Sequence, residues 1–200
     1  MIKIYHVTGT RGVRAIWLCE ELSIAYTVEK VDFSAEFRSS PAWRTVNPVG
    51  KVPAMTDGDL VMFESGAMVQ YLLDRYGKGQ LQPPAGTPEH AIYLQWSWFA
   101  EATMARPLGE VVNHGRAFPG EARIPEVVAE MQSRSQLCLD ALADTLQDRD
   151  YLLGSNFSAA DIMLGYSLML AKGQLDMPQA LEPYWQRLVD RPAFEVARNA

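Results

Sequence analysis

Apolar and polar positions change their period along the chain. Residues 2–7 (IKIYHV) alternate well enough for a strand. After a turn at Thr8-Gly9-Thr10-Arg11-Gly12, Val13, Ile16 and Trp17 recur at helical spacing up to about Leu22. Residues 26–31 (YTVEKV) again predict a strand. Ser39-Ser40-Pro41 is a helix-start signal, and that helix must stop by Val46, because Asn47 precedes a proline. Short apolar runs at 52–56 and 60–63 flank Asp57-Gly58, which predicts a hairpin. From Ser65 the period is helical, with Met68, Tyr71, Leu72 and Tyr76 on one face and Gly77 as the stop.

Residues 78–88 carry the glycines and prolines of a linker. Beyond them strand signals vanish. Helices are predicted over 89–106, 122–147, 158–171 and 183–190. The expected organisation is an α/β domain over residues 1–77, a linker over 78–88 and an all-helical domain over 89–200.

Composition narrows the function. The net charge of −6 gives a nucleic-acid role no support. The two cysteines, Cys19 and Cys138, form no CxxC and no disulfide framework, which favours a reducing compartment. The start of the chain has no apolar stretch of signal-peptide type. The most apolar later run, 162–171, is too short to span a bilayer. The expectation is a cytoplasmic protein with no membrane partner.

Two constellations carry candidate chemistry. In Val49-Gly50-Lys51-Val52-Pro53 the simpler reading is a turn into an edge strand, where proline's missing N–H is harmless. The alternative is a cis-proline that turns the Val52 main chain toward an extended ligand. In Glu64-Ser65 the simpler reading is a serine N-cap. The alternative uses the free N–H groups and the hydroxyl for a ligand carboxylate, with Glu64 taking an ammonium group. Together they describe a site for an amino-acid head group. In Phe157-Ser158-Ala159-Ala160-Asp161, Ser158 and Asp161 have capping-box spacing, which outweighs a catalytic role for Asp161.

The combination is more specific than its parts. Asn47-Pro48-x-Gly50-x-Val52-Pro53, followed by Glu64-Ser65 and Tyr71-Leu72, resembles the cytosolic glutathione transferase family. Trp17-Leu18-Cys19-Glu20-Glu21-Leu22, Trp98-Phe99-Ala100-Glu101 and Arg191-Pro192-Ala193-Phe194 resemble its bacterial and fungal branches. The resemblance implies a thioredoxin-like first domain, a helical second domain and a homodimer. It implies glutathione as co-substrate, with no further cofactor and no metal, and a small hydrophobic electrophile as partner.

Carried over residue by residue, it implies a main-chain contact from Val52, a cis Pro53, and Glu64 and Ser65 at the γ-glutamyl head. Lys51 aligns near the glutathione backbone or glycyl end, and Arg38 near a basic glycyl-end contact. Thr10 takes the place of a thiol-activating serine. Thr8, in the same turn, and Tyr5, at the position of a catalytic tyrosine, are the alternatives. Arg11 and Arg14 are candidates for stabilising a thiolate. No cysteine stands in 8–12, which argues against mixed-disulfide chemistry. Trp98, Phe99, Thr103, Met104 and Pro107 are candidates for an apolar electrophile cleft, although such a stripe is more often core than pocket. The alternatives to conjugation are peroxidase, isomerase or dehalogenase chemistry, or glutathione binding without catalysis.

Overall fold

The computed structural model describes residues 1–200. Two compact units are formed. Met1–Leu81 and Val189–Ala200 make the first, and Gln82–Leu188 the second.

The first unit begins with β1 (Ile2–His6), α1 (Gly12–Glu21) and β2 (Tyr26–Lys30). Two short helices follow, α2 (Ala35–Ser39) and α3 (Pro41–Val46), then β3 (Ala54–Asp57), β4 (Leu60–Phe63) and α4 (Ser65–Tyr76). The sheet order is β2-β1-β3-β4, with β1 parallel to β2 and antiparallel to β3, and β3 antiparallel to β4. This mixed sheet with its βαβ opening and terminal hairpin is the thioredoxin-like arrangement. Alternation along β1 turns Ile2, Ile4 and His6 inward and leaves Lys3 and Tyr5 half-buried. Val13, Ile16, Trp17 and Leu18 of α1 are buried, as are Met68, Val69, Leu72 and Leu73 of α4. A polar clasp closes the sheet end. Tyr71 and Tyr76 both donate to Asp57 Oδ2, the former at 2.8 Å.

Three features of this unit were not expected. The strand expected from residue 52 begins at Ala54, so Val52 and Pro53 precede it. The helix α2 is capped by Ser34, whose hydroxyl accepts from Phe37 N at 3.2 Å. The last helix, α10 (Pro192–Asn199), lies on α1. There Phe194 meets Trp17 edge-on at 4.7 Å between ring centroids, and Arg191 grips Glu21 through two bonds of 2.6 Å. Residues 189–200, expected within the all-helical domain over 89–200, cluster with the first unit.

The second unit is helical: α5 (Pro88–Trp98), α6 (Ala105–Ala117), α7 (Pro125–Thr145), α8 (Ala159–Ala171) and α9 (Glu182–Val189), the last of which runs on to Val189. A π turn, Phe99–Met104, joins α5 to α6. The helix expected to end near residue 106 continues past Pro107, which has no N–H for the Thr103 carbonyl. The wider turn just before it accommodates that loss. The capping box at Ser158 is formed. Asp161 accepts from Ser158 N at 2.8 Å, Ser158 Oγ at 2.9 Å, Leu152 N at 3.0 Å and the Tyr184 hydroxyl at 2.9 Å. Asp161 is thus a structural hub. No helix is long and apolar enough to cross a membrane.

Candidate functional site

Strand register gathers the candidate residues. Tyr5 pairs with Ala54, and Ala54 with Phe63. The turn after β1, the Val52-Pro53 segment before β3 and the Glu64-Ser65 corner after β4 therefore leave the sheet at the same end. Three stretches separated in sequence become one rim.

The turn at 7–11 presents the hydroxyl candidates. Thr10 Oγ1 donates to Val7 O at 2.7 Å and stands 3.4 Å from His6 Nδ1. The Thr10 carbonyl accepts from Val13 N at 3.1 Å, which sets the hydroxyl beside the first turn of α1. Arg11 occupies the N-cap position of α1. Thr8 Oγ1 instead donates to Ala200 O at 2.6 Å and so ties the turn to the end of α10. The Tyr5 ring packs edge-on against Trp43 at 5.7 Å, and Trp43 meets Phe37 at 5.1 Å. Tyr5 belongs to an aromatic cluster built from β1, α2 and α3.

The Val52–Pro53 peptide is cis. Pro53 is buried, Val52 half-buried and Lys51 exposed. The turn before them is organised by buried Asn47, a residue not weighed as a site component. Its Nδ2 donates to Lys51 O at 2.9 Å, and its Oδ1 accepts from Val49 N at 3.1 Å. Gly50 has φ 65°, and a Cβ there would stand 2.4 Å from the Arg38 carbonyl. Only glycine lets the two segments approach so closely. The Arg38 guanidinium stacks on Phe33 at 4.7 Å, and its Nε donates to Ser34 O at 3.4 Å.

At the third corner the N-cap is Glu64, and Ser65 is the first residue of α4. The expected serine cap is therefore corrected. The Ser65 hydroxyl is not spent on a helix N–H, and it accepts from Arg14 Nη1 at 3.1 Å. Both side chains are buried. Exposed Glu64 holds φ 76°, a left-handed conformation that costs a non-glycine residue about 1–3 kcal/mol.

Other titratable groups are muted. Burial first, and Lys30 second, bring the His6 imidazole down to about 4. Burial, then Glu20, pushes the Cys19 thiol up to about 12, which makes it a poor nucleophile. In the second unit a cleft of about 360 Å³ is lined by Phe99, Thr103, Pro107 and Arg106, with Leu137 and Cys138 opposite. Of the other electrophile candidates, Met104 is buried in the core and Trp98 is exposed. His114 is structural, since its Nε2 accepts from Ile124 N at 3.1 Å.

Comparison with known proteins agrees with this architecture. Residues 1–74 match the model "Glutathione S-transferase, N-terminal domain", and residues 125–193 match "Glutathione S-transferase, C-terminal domain". The chain belongs to the glutathione S-transferase family. Rat glutathione S-transferase theta-1 is 30% identical over 174 residues, covering 84% of this chain and 72% of the relative. The disulfide-bond oxidoreductase YfcG of Escherichia coli is 28% identical, covering 96% and 92%. Among solved structures, a theta class glutathione S-transferase from Xanthomonas axonopodis with glutathione bound has a TM-score of 0.84 and 30% identity, covering 100% of this chain and 97% of that one.

Proposed function

We propose that this protein transfers the thiolate of glutathione to small hydrophobic electrophiles, as a cytoplasmic homodimer serving detoxification, with glutathione as co-substrate and no other cofactor or metal. The observation that carries this reading is the register Tyr5–Ala54–Phe63, which brings the hydroxyl turn, the Val52 main chain and the Ser65 corner to one rim.

On this rim the γ-glutamyl carboxylate takes Ser65 Oγ and the free N–H groups of α4, where the helix dipole favours negative charge. Glu64 receives the ammonium group. The Val52 main chain pairs with the cysteinyl unit, and Lys51, with Arg38 behind it, meets the glycyl carboxylate. Thr10 donates its hydroxyl hydrogen to sulfur. A free thiol titrates at about 8.5, and a hydrogen bond to the thiolate lowers that value. Arg11 adds positive charge beside the same turn. The thiol proton passes to solvent. A carbon–sulfur bond then forms as the leaving group departs with its electron pair. Two observations favour Thr10 over its rivals. Its carbonyl accepts from Val13 N, which sets it beside the first turn of α1, whereas Thr8 is tied to the end of α10, and the Tyr5 ring is packed against Trp43.

Support for the homodimer comes from β4, an edge strand that leaves apolar Leu60, Val61 and Phe63 exposed. A second copy is the proposed cover for this strip.

Retention on immobilised glutathione, with release by free glutathione, tests the binding half. Conjugation to a chloronitroaromatic, run beside peroxide and disulfide reduction, tests the reaction. Absence of binding, or reduction outrunning conjugation, overturns the proposal. Light scattering at the mass of one chain would remove the homodimer.

A further inference from the structure

His6 ends the inward row of β1 and is buried. Its ring is held closely from the helix side, for a Cβ on Gly12 would stand 2.2 Å from His6 Nδ1. Nε2 is buried and has no hydrogen-bond partner. The other nitrogen, Nδ1, faces Thr10 Oγ1 at 3.4 Å, a long hydrogen bond.

The Thr10 hydroxyl has two neighbours, Val7 O and His6 Nδ1. A hydroxyl has a single hydrogen, and this one is given to Val7 O at 2.7 Å. Toward His6 the oxygen can therefore only accept. A hydrogen bond between the two groups then requires the ring hydrogen on Nδ1, which leaves Nε2 as the bare nitrogen, in keeping with its lack of an acceptor. An imidazole brought down to about 4 by burial and by Lys30 carries one hydrogen at neutral pH, so the tautomer is a real choice.

We propose that His6 is a positioning residue for Thr10. Its Nδ1–H holds the Thr10 oxygen in the turn, so that the hydroxyl hydrogen can swing from Val7 O to the glutathione sulfur. The inference rests on Thr10 being the thiol-activating hydroxyl. A hydroxyl that accepts a hydrogen bond is a stronger donor in turn, because bonds in a chain polarise one another. Thr10 is β-branched and stiff at χ1, so only the hydrogen has to move. Gly12 takes part by keeping the space the ring occupies. His6 itself touches neither sulfur nor electrophile.

Two measurements test this. Nitrogen-15 shifts of the His6 ring in the unaltered protein should report the Nδ1–H tautomer; the Nε2–H tautomer overturns the proposal. This arm needs no variant to fold. The second is an ultraviolet titration of bound glutathione thiol in the unaltered protein, His6→Phe, His6→Asn, Thr10→Ala and the His6→Phe/Thr10→Ala double variant. His6→Phe should raise the thiol pKa by about half a unit to one unit with glutathione Kd changed less than about twofold. His6→Asn, which restores an N–H near Nδ1, should bring most of the shift back. In the Thr10→Ala background His6→Phe should add nothing, as groups acting in one network are not additive. Additive effects, or a His6→Phe thiol that titrates like the unaltered one while Thr10→Ala shifts it, overturn the role of His6 alone. A Thr10→Ala thiol that does not shift overturns the Thr10 reading and this inference with it.

Discussion

Arg14 Nη1 donates to Ser65 Oγ at 3.1 Å, and both side chains are buried. This bond joins the first turn of α1 to the first residue of α4, 51 positions later in the chain. It fixes the serine hydroxyl as the acceptor of a charged donor. The hydroxyl hydrogen is then available to a carboxylate arriving at the α4 N-terminus, and a buried positive charge stands behind it.

Replacing Ser65 with alanine removes that hydroxyl from the proposed anchor. Glutathione binding should weaken by about tenfold, the worth of one charge-assisted hydrogen bond, while kcat falls less than about threefold. Calorimetric Kd values and steady-state rates at saturating glutathione would show it. A collapse of kcat with Kd unmoved would remove Ser65 from the anchoring role.

Thr10→Ala and Tyr5→Phe separate the two leading candidates for thiol activation. Thr10→Ala should move the pKa of bound thiol up by about one unit, toward the free value near 8.5. Tyr5→Phe should leave it in place, because the Tyr5 ring is packed into the Trp43 cluster. The pH profile of kcat/KM reads both.

His6 makes stability depend on pH. The unfolded imidazole takes its proton near 6.5, and the folded one only at about 4. Between those values the unfolded state binds more protons. Stability is therefore full above the unfolded pKa and declines as pH falls through this window, at up to about 1.4 kcal/mol per unit. Chemical denaturation at pH 7, 5.5 and 4.5 should show His6→Phe losing less stability on acidification than the unaltered chain. Parallel losses would contradict the buried, uncharged His6.

Arg191 and Glu21 form a bidentate pair that is mostly shielded from solvent. Arg191→Ala should lower stability by about 1–3 kcal/mol, since it also leaves Glu21 without its counter-charge. A double-mutant cycle with Glu21→Gln, read from thermal melts, should show coupling that shrinks only modestly in high salt. Coupling near zero would reduce the pair to a surface contact.

Asp161→Ala removes the acceptor of four hydrogen bonds at once. A loss of about 3 kcal/mol or more is expected, with glutathione affinity per folded molecule retained. Equal losses of affinity and stability would give Asp161 a part in the site.

The sequence made the local elements legible wherever a period or a cap is written in neighbouring residues. Ser40-Pro41 starts α3, Asp57-Gly58 turns the hairpin, and Ser158 with Asp161 starts α8. Helix α2 escaped because its five residues are too few to set a period, although Asp32 and Ser34 already form a turn at its start. The continuation of the helix beyond Pro107 was hidden because proline normally marks a stop, and the π turn that permits it has no sequence signature. At the Glu64-Ser65 corner the helix start was legible with its cap one residue off, Glu64 holding the cap and Ser65 turned toward Arg14. That bond, the contact of His6 with Thr10 and the tie from Thr8 to Ala200 depend on tertiary packing, which spacing along the chain does not encode.

Helix α10 gives the first unit a delayed assembly. Trp17 is fully shielded, and Phe194 supplies part of that shield from the far end of the chain. During synthesis residues 1–81 emerge first, yet their helix α1 lacks its last neighbour until residue 194 has left the ribosome. Until then an indole and the carboxylate of Glu21 face water on a half-built unit. A carboxy-terminal truncation that removes α10 would leave the Trp17 indole and the Glu21 carboxylate in that same uncovered condition.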